Sequence, residues 1–173
     1  MKPNLKEIKI IILDVDGTMT DGKITYDNNG TETKSFNVKD GMAIAQAIKY
    51  GIKVAIITGR TSKVVEHRAT ELGISDIYQG VGNKIATLDK LLEKYDYNYK
   101  NVAYMGDDIN DIPAMMRAEY VGITADAVSD IEEFAHFKSR YDGGYGAVRE
   151  FIETILQANG IWSKIIEEYK SKK

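Results

Sequence analysis

Four runs of apolar, mostly β-branched residues limit what this chain can fold into. They cover residues 8–13, 53–57, 101–105 and 120–123, and residues 76–79 are a shorter strand candidate. Their apolar residues are continuous rather than alternating, which marks strands covered on both faces. Helical patterns fill the spaces between them, over residues 41–50, 62–72, 83–94, 109–117 and 128–135. Strands that alternate with helices predict an α/β fold, a Rossmann-like, doubly wound parallel sheet with right-handed crossovers.

One stretch breaks the alternation. Residues 23–26 and 31–38 carry Thr, Tyr and Phe and flank Asp27-Asn28-Asn29-Gly30. Asn-Gly is a strong hairpin-turn signal, so a β-hairpin insertion is expected directly after the first strand and its loop. Residues 147–169 read as helix interrupted at Asn159-Gly160, and Ser171-Lys172-Lys173 as a frayed end. A length of 173 residues suits a single domain, 1–173, with no room for a second of ordinary size.

Composition removes several functions. The chain has no cysteine, so thiol catalysis, disulfides and thiolate metal sites are impossible. Its two histidines, His67 and His136, are too few for a typical zinc site. A formal net charge of -3 argues against nucleic acid as the main partner. The apolar run before Asp14 is too short for a signal-peptide core or a membrane span, so the expected location is the cytoplasm.

Asp14-Val15-Asp16-Gly17-Thr18 follows the first apolar run. Open α/β sheets bind ligands at the carboxyl ends of their strands. A carboxylate there can attack phosphorus, and a second one nearby can handle the proton of the leaving oxygen. The plainer account is a strand-end turn, where Asp and Gly are common. Gly106-Asp107-Asp108-Ile109-Asn110-Asp111 also follows an apolar run. Its carboxylates repel one another unless a cation or donors offset them, and Mg2+ takes such oxygens. Helix capping accounts for one Asp but not for three. Thr58-Gly59-Arg60-Thr61-Ser62 joins a strand to a helix. Its hydroxyl and N–H groups can cradle a phosphate or simply cap the helix. Lys84 opens a predicted helix; alone it reads as a solvated lysine, beside a phosphate as a point charge.

In this order the four pieces resemble the haloacid dehalogenase superfamily. The resemblance implies that Asp14 is the nucleophile and Asp16 the general acid/base. It implies Mg2+ held by Asp14, the Asp16 carbonyl and Asp107, with Asp108 and Asp111 in support. Thr58 and the Gly59 backbone would bind phosphate, and Lys84 would neutralise it. The gaps between motifs leave room for no inserted cap domain.

Further stretches are similar to the capless 3-deoxy-D-manno-octulosonate 8-phosphate phosphatases, over nearly the whole chain. They are Asp14-Val15-Asp16-Gly17-Thr18-Met19-Thr20-Asp21-Gly22, Lys34-Ser35-Phe36-Asn37-Val38-Lys39-Asp40-Gly41, Thr58-Gly59-Arg60 with Arg68, and Gly143-Gly144-Tyr145-Gly146-Ala147-Val148-Arg149-Glu150. This resemblance implies a small phosphorylated sugar acid as substrate, in lipopolysaccharide precursor synthesis. It also implies a homotetramer in which neighbouring subunits complete each site. Arg60 is the candidate for the substrate carboxylate in its own subunit, and Arg68 for a neighbour's site; otherwise each is an exposed Arg. Met42-Ala43 and Met19 depart from the family's usual residues without touching a catalytic role. Arg60 and Glu71 favour the octulosonate over a sister branch that acts on deaminoneuraminate 9-phosphate.

Three other readings compete. A non-catalytic regulatory domain partnering a nucleotide-sugar synthetase is opposed by the intact Asp14, Asp16, Lys84 and Asp107. A phosphotransferase or mutase must exclude water, usually with a cap. A dehalogenase does not suit Asp16 or the acidic cluster.

Overall fold

Strand β1 (Ile10–Leu13) lies inside a six-stranded sheet, in a computed structural model that describes residues 2–171. A short hairpin follows it, β2 (Thr25–Tyr26) and β3 (Glu32–Thr33). Then come α1 (Val38–Lys49), β4 (Lys53–Ile57), α2 (Lys63–Glu71) and β5 (Asp76–Tyr78). The second half adds α3 (Lys84–Tyr95), β6 (Val102–Gly106), α4 (Ile112–Met115), β7 (Tyr120–Ile123), β8 (Phe137–Lys138), α5 (Ala147–Ala158) and α6 (Ile161–Ser171). The order across the sheet is β5-β4-β1-β6-β7-β8, with every pairing parallel. Only the hairpin and α1 separate β1 from β4, and only α2 and β5 separate β4 from α3. Among the described residues there is no cap domain.

The continuous apolar runs are explained by cover on both faces. Ile11 and Leu13 pack with Ile44 of α1, Val65 of α2 and Phe151 of α5. Ile10 and Ile12 pack with Leu88 and Leu91 of α3 and Met115 of α4. Period-two alternation along β1 therefore feeds two cores, and no position on it is free to be polar.

Four expectations need correction. β8 lies outside the predicted strands, because two residues leave no pattern to detect. Residues 128–135 form a 3-10 helix, Ser129–Phe134, instead of an α-helix; only Ile131 is fully buried, with Phe134 half-buried one 3-10 turn on, a spacing of three that suits this geometry. Residues 109–117 divide into a 3-10 turn, Ile109–Asp111, and α4. Pro113 has no N–H to bond back to residue 109, so the α-helix begins beside it. The hairpin is shorter than predicted, because Asn37 caps α1 by accepting the Lys39 N–H and Val38 already belongs to that helix. Residues 147–169 do break at Asn159-Gly160, where Gly160 has φ 65. Ser171 ends α6, while Lys172 and Lys173 lie outside the described residues.

From β1 the chain fills one side of the sheet, then crosses to fill the other. Register places Leu13 beside both Ile56 and Met105. The carboxyl ends of β1, β4 and β6 thus abut at a topological switch point, the usual place for a ligand crevice.

Asp40 links α1 to α5. Its Oδ1 accepts the Arg149 N–H at 2.7 Å, so it caps a helix whose own Gly146 has no side chain to do so. Burial pushes this carboxyl from the ordinary 3.8 up to about 6, against the pull of the Arg149 N–H. A raised native pKa means that ionisation costs stability, with the cost growing from pH 3.8 to about 6. Asp40→Asn keeps the acceptor without the charge. Over that pH range the native protein should lose up to about 2–3 kcal/mol relative to this variant. Urea midpoints for both proteins check this, and a difference independent of pH rejects it.

Candidate active site

Asp14 stands where β1 ends and is 4% exposed. Its Oδ1 accepts from Lys84 Nζ at 2.8 Å. Lys84 is the first residue of α3, held there by Asn83, whose side chain accepts the Ala86 N–H. It also donates to Asp111 Oδ1 at 2.6 Å and is 4% exposed, so its partners make it a buried lysine instead of a solvated one. Tyr104 of β6 donates its hydroxyl to the same Asp111 oxygen at 2.6 Å. Asp111 Oδ2 accepts the N–H groups of Asp107 and Asp108. Gly106 permits this, since a Cβ there would lie 2.2 Å from Asp111 Oδ2.

Asp14, Asp107 and Asp111 each offer a carboxylate oxygen, all within 4.8 Å of one another. Among the described residues Lys84 is the only ammonium bonded to them, so three carboxylates and one ammonium give the cluster a formal charge of -2. Burial, and next the charge of Asp14, push Asp107 up to about 7, although the Thr18 hydroxyl donates to it at 3.0 Å. Burial pushes Asp14 up to about 6, with Lys84 pulling the other way. Burial would lower the Lys84 ammonium, but Asp14 and Asp111 hold it above its ordinary value. These are hard oxygen donors short of positive charge, and they fit a divalent cation such as Mg2+. Asp111 spends both oxygens on four donors, which leaves Asp14 and Asp107 as the better-placed ligands. Asp108 is exposed and outside the cluster; its Oδ1 accepts the Ile109 N–H at 2.7 Å, a capping role.

A cavity of about 300 Å3 opens over these groups. Asp14, Asp16 and Asp107 line it, together with Thr58, Gly59 and Arg60 from the end of β4. Thr58 is buried, and its N–H donates to the Tyr78 carbonyl. A larger cavity of about 680 Å3 lies elsewhere, among Met115, Met116, Phe134 and His136, but it gathers no metal-binding cluster among the described residues.

The hairpin reaches this cavity. Asp16 Oδ1 accepts from Lys34 Nζ, and Asp16 Oδ2 lies 3.7 Å from Arg60 Nε. Arg60 also donates to Glu32 Oε1 at 3.1 Å and to the Tyr26 hydroxyl at 3.3 Å. It therefore stands at the rim, tied to the hairpin. The sequence alone assigns Lys34, Glu32 and Tyr104 no role; Lys34 belongs to the 34–41 stretch, but nothing in the pattern discloses its partner. Arg68 is not brought to this cavity. It pairs with Glu71 at 2.8 Å on α2, with its head so close to Gly41 that a Cβ there would come within 2.4 Å.

Residues 33–119 match the haloacid dehalogenase-like hydrolase family model. The chain belongs to the haloacid dehalogenase-like hydrolases. It is 46% identical over 155 residues to the 3-deoxy-D-manno-octulosonate 8-phosphate phosphatase of Escherichia coli strain K12, covering 90% of this chain and 82% of that one. Two crystal structures are also similar. The phosphatase of the same name from Yersinia pestis has 42% identity and a TM-score of 0.90, over 92% of this chain and 86% of that one. That from Moraxella catarrhalis, in complex with magnesium ion, phosphate ion and a KDO molecule, has 39% identity and a TM-score of 0.93, over 95% of each chain.

In this haloacid dehalogenase-like hydrolase the loop after β1 is braced by residues before α5. The Gly144 N–H donates to the Thr18 carbonyl at 3.1 Å, and the Gly143 N–H to Asp126 Oδ1 at 3.0 Å. A Cβ on Gly143 would sit 1.8 Å from the Gly17 carbonyl oxygen. Backbone cannot yield as a flexible side chain would. Gly143→Ala should therefore cost about 1–3 kcal/mol of stability through overpacking. It should also lower kcat about a hundredfold, the scale of a 1 Å displacement at a site. Thermal melts and turnover of the variant check both, and normal values for each reject the brace.

Proposed function

We propose that this chain is a Mg2+-dependent phosphatase that hydrolyses 3-deoxy-D-manno-octulosonate 8-phosphate to the free sugar acid and phosphate. The meeting of Asp14, Asp107 and Lys84 in one strand-end site carries this reading, in a chain 46% identical to phosphatases named for that substrate. Asp14 attacks phosphorus as the ester P–O bond breaks, giving an aspartyl-phosphate. Asp16 protonates the leaving alkoxide. It then takes a proton from the water that attacks the aspartyl-phosphate, which frees phosphate and restores Asp14. Lys84 favours the ionised Asp14 and fixes its direction. Thr58 and Gly59 offer a seat for the phosphoryl oxygens. Asp14, the Asp16 carbonyl and Asp107 would hold the ion, with Asp111 supporting them directly and Asp108 through its cap on the acidic loop. When bound, Mg2+ supplies positive charge that lets two anions approach.

Arg60 is the group for the sugar-acid carboxylate, exchanging Glu32 for substrate. Arg68 would serve a neighbouring subunit. We place residues 1–173, as one catalytic domain, in a cytoplasmic homotetramer. Ile24 and Tyr26 of the hairpin and Val38 and Met42 of α1 expose apolar surface suited to such contacts. Among the described residues, no helix is long and apolar enough to cross a membrane. Light scattering that finds a stable, fully active monomer would remove the assembly.

Substrate choice is tested by phosphate release from 3-deoxy-D-manno-octulosonate 8-phosphate, deaminoneuraminate 9-phosphate and hexose phosphates. An Arg–carboxylate contact adds roughly 1.5–3 kcal/mol, so the octulosonate should exceed hexose phosphates about ten- to hundredfold in kcat/KM. Arg60→Ala should narrow that ratio. Equal loss on every substrate would assign Arg60 to the phosphate or the fold, and no release from any ester would overturn the function.

A further inference from the structure

Lys34 follows β3 at the edge of the hairpin, yet its side chain is only 1% exposed. A buried ammonium needs carboxylates to compensate it. Two are present. Asp16 Oδ1 accepts from Nζ, and Glu32 Oε1 lies 3.5 Å away. Arg60 closes the ring through the same Glu32 oxygen at 3.1 Å and Asp16 Oδ2 at 3.7 Å. Two cations and two carboxylates thus alternate. Both oxygens of Asp16 face cations from outside the Asp16 loop, while the hydroxyls of Thr18 and Thr20 are spent on Asp107 and the Val15 carbonyl. The two cations differ in access. Arg60 is 43% exposed and can exchange partners, whereas Lys34 is sealed beneath the hairpin.

We propose that Lys34 is a positioning residue: it fixes the Asp16 side chain at the angle from which the protonated carboxyl gives its proton to the leaving oxygen and the resulting carboxylate takes one back from water. This makes the hairpin part of the catalytic apparatus. It rests on the phosphatase reading above.

The test compares Lys34→Met and Lys34→Arg with the unaltered protein on three esters. These are 3-deoxy-D-manno-octulosonate 8-phosphate, glycerol phosphate and p-nitrophenyl phosphate. The ratio kcat/KM reports events through P–O cleavage. An alkoxide needs a proton to leave, and p-nitrophenolate does not. Lys34→Met should lower kcat/KM for both alkyl esters by about ten- to hundredfold, within the range of general acid catalysis. The aryl ester should lose less than about threefold, since its cleavage draws little on a proton donor. Lys34→Arg should recover most of the loss. In an Asp16→Ala background, Lys34→Met should cost nothing further on the alkyl esters. That cycle also serves if the single Met variant folds poorly, because Asp16→Ala alone already removes one of the ammonium's two partners and so reports the structural cost separately. Equal loss on all three esters, loss on the sugar acid alone, no loss, or additive loss in the Asp16→Ala background would each overturn the assignment. Failure of the unaltered protein to release phosphate from any ester would overturn the phosphatase reading itself. Turnover by the unaltered protein with a uniform Lys34 effect would overturn only the role of Lys34.

Discussion

Asp14→Asn is expected to abolish phosphate release while leaving the fold in place. An amide of the same shape fills the end of β1 but forms no acyl phosphate. Loss of a covalent nucleophile costs on the order of 10⁴-fold or more in kcat. The change also removes one of the three clustered carboxylates, so the repulsion felt by Asp107 falls as the bond to Lys84 weakens. Circular dichroism should therefore be unchanged and the melting temperature close to that of the parent. Near-normal phosphate release by carefully purified Asp14→Asn would reject the covalent route.

Removal of the divalent cation should have the second largest effect. A cluster with formal charge -2, most of it buried, repels an anionic substrate until it is neutralised. Chelator should abolish phosphate release, and added Mg2+ should restore it. The ion should also raise the melting temperature, because a ligand bound only by the native state stabilises it by about 2.7 kcal/mol at a hundred times its Kd. Asp107→Asn should flatten that dependence. Full activity in metal-free buffer, from protein shown to hold no metal, would contradict this.

The sheet was largely legible because β1, β4, β6 and β7 are buried on both faces and so carry unbroken apolar runs. β8 was not, since it pairs through only two residues. Strand ends were also legible, so Asp14, Thr58 and Asp107 lie where a switch-point site was expected. Lys84 illustrates the limit. As a residue type it reads as surface, and only its bonds to Asp14 and Asp111, 70 and 27 positions away, make it interior. Lys34 was harder still, because an ion pair across 18 positions and a turn leaves no periodic trace. The loop position of Arg60 is legible, but its tie to Glu32 depends on how the hairpin folds back.

The burial of Lys84 between Asp14 and Asp111 has a consequence for synthesis on the ribosome. When Lys84 emerges, Asp111 does not yet exist, and one carboxylate poorly compensates an ammonium withdrawn from water. The amino-terminal half therefore has reason to keep α3 undocked until β6 and its acidic loop have left the exit tunnel. Gly143 and Gly144, which brace the nucleophile loop, arrive later still. A nascent chain halted before them holds every carboxylate of the cluster without the contacts at Gly17 and Thr18 that brace the nucleophile loop, so chemical competence must wait until these two glycines have emerged.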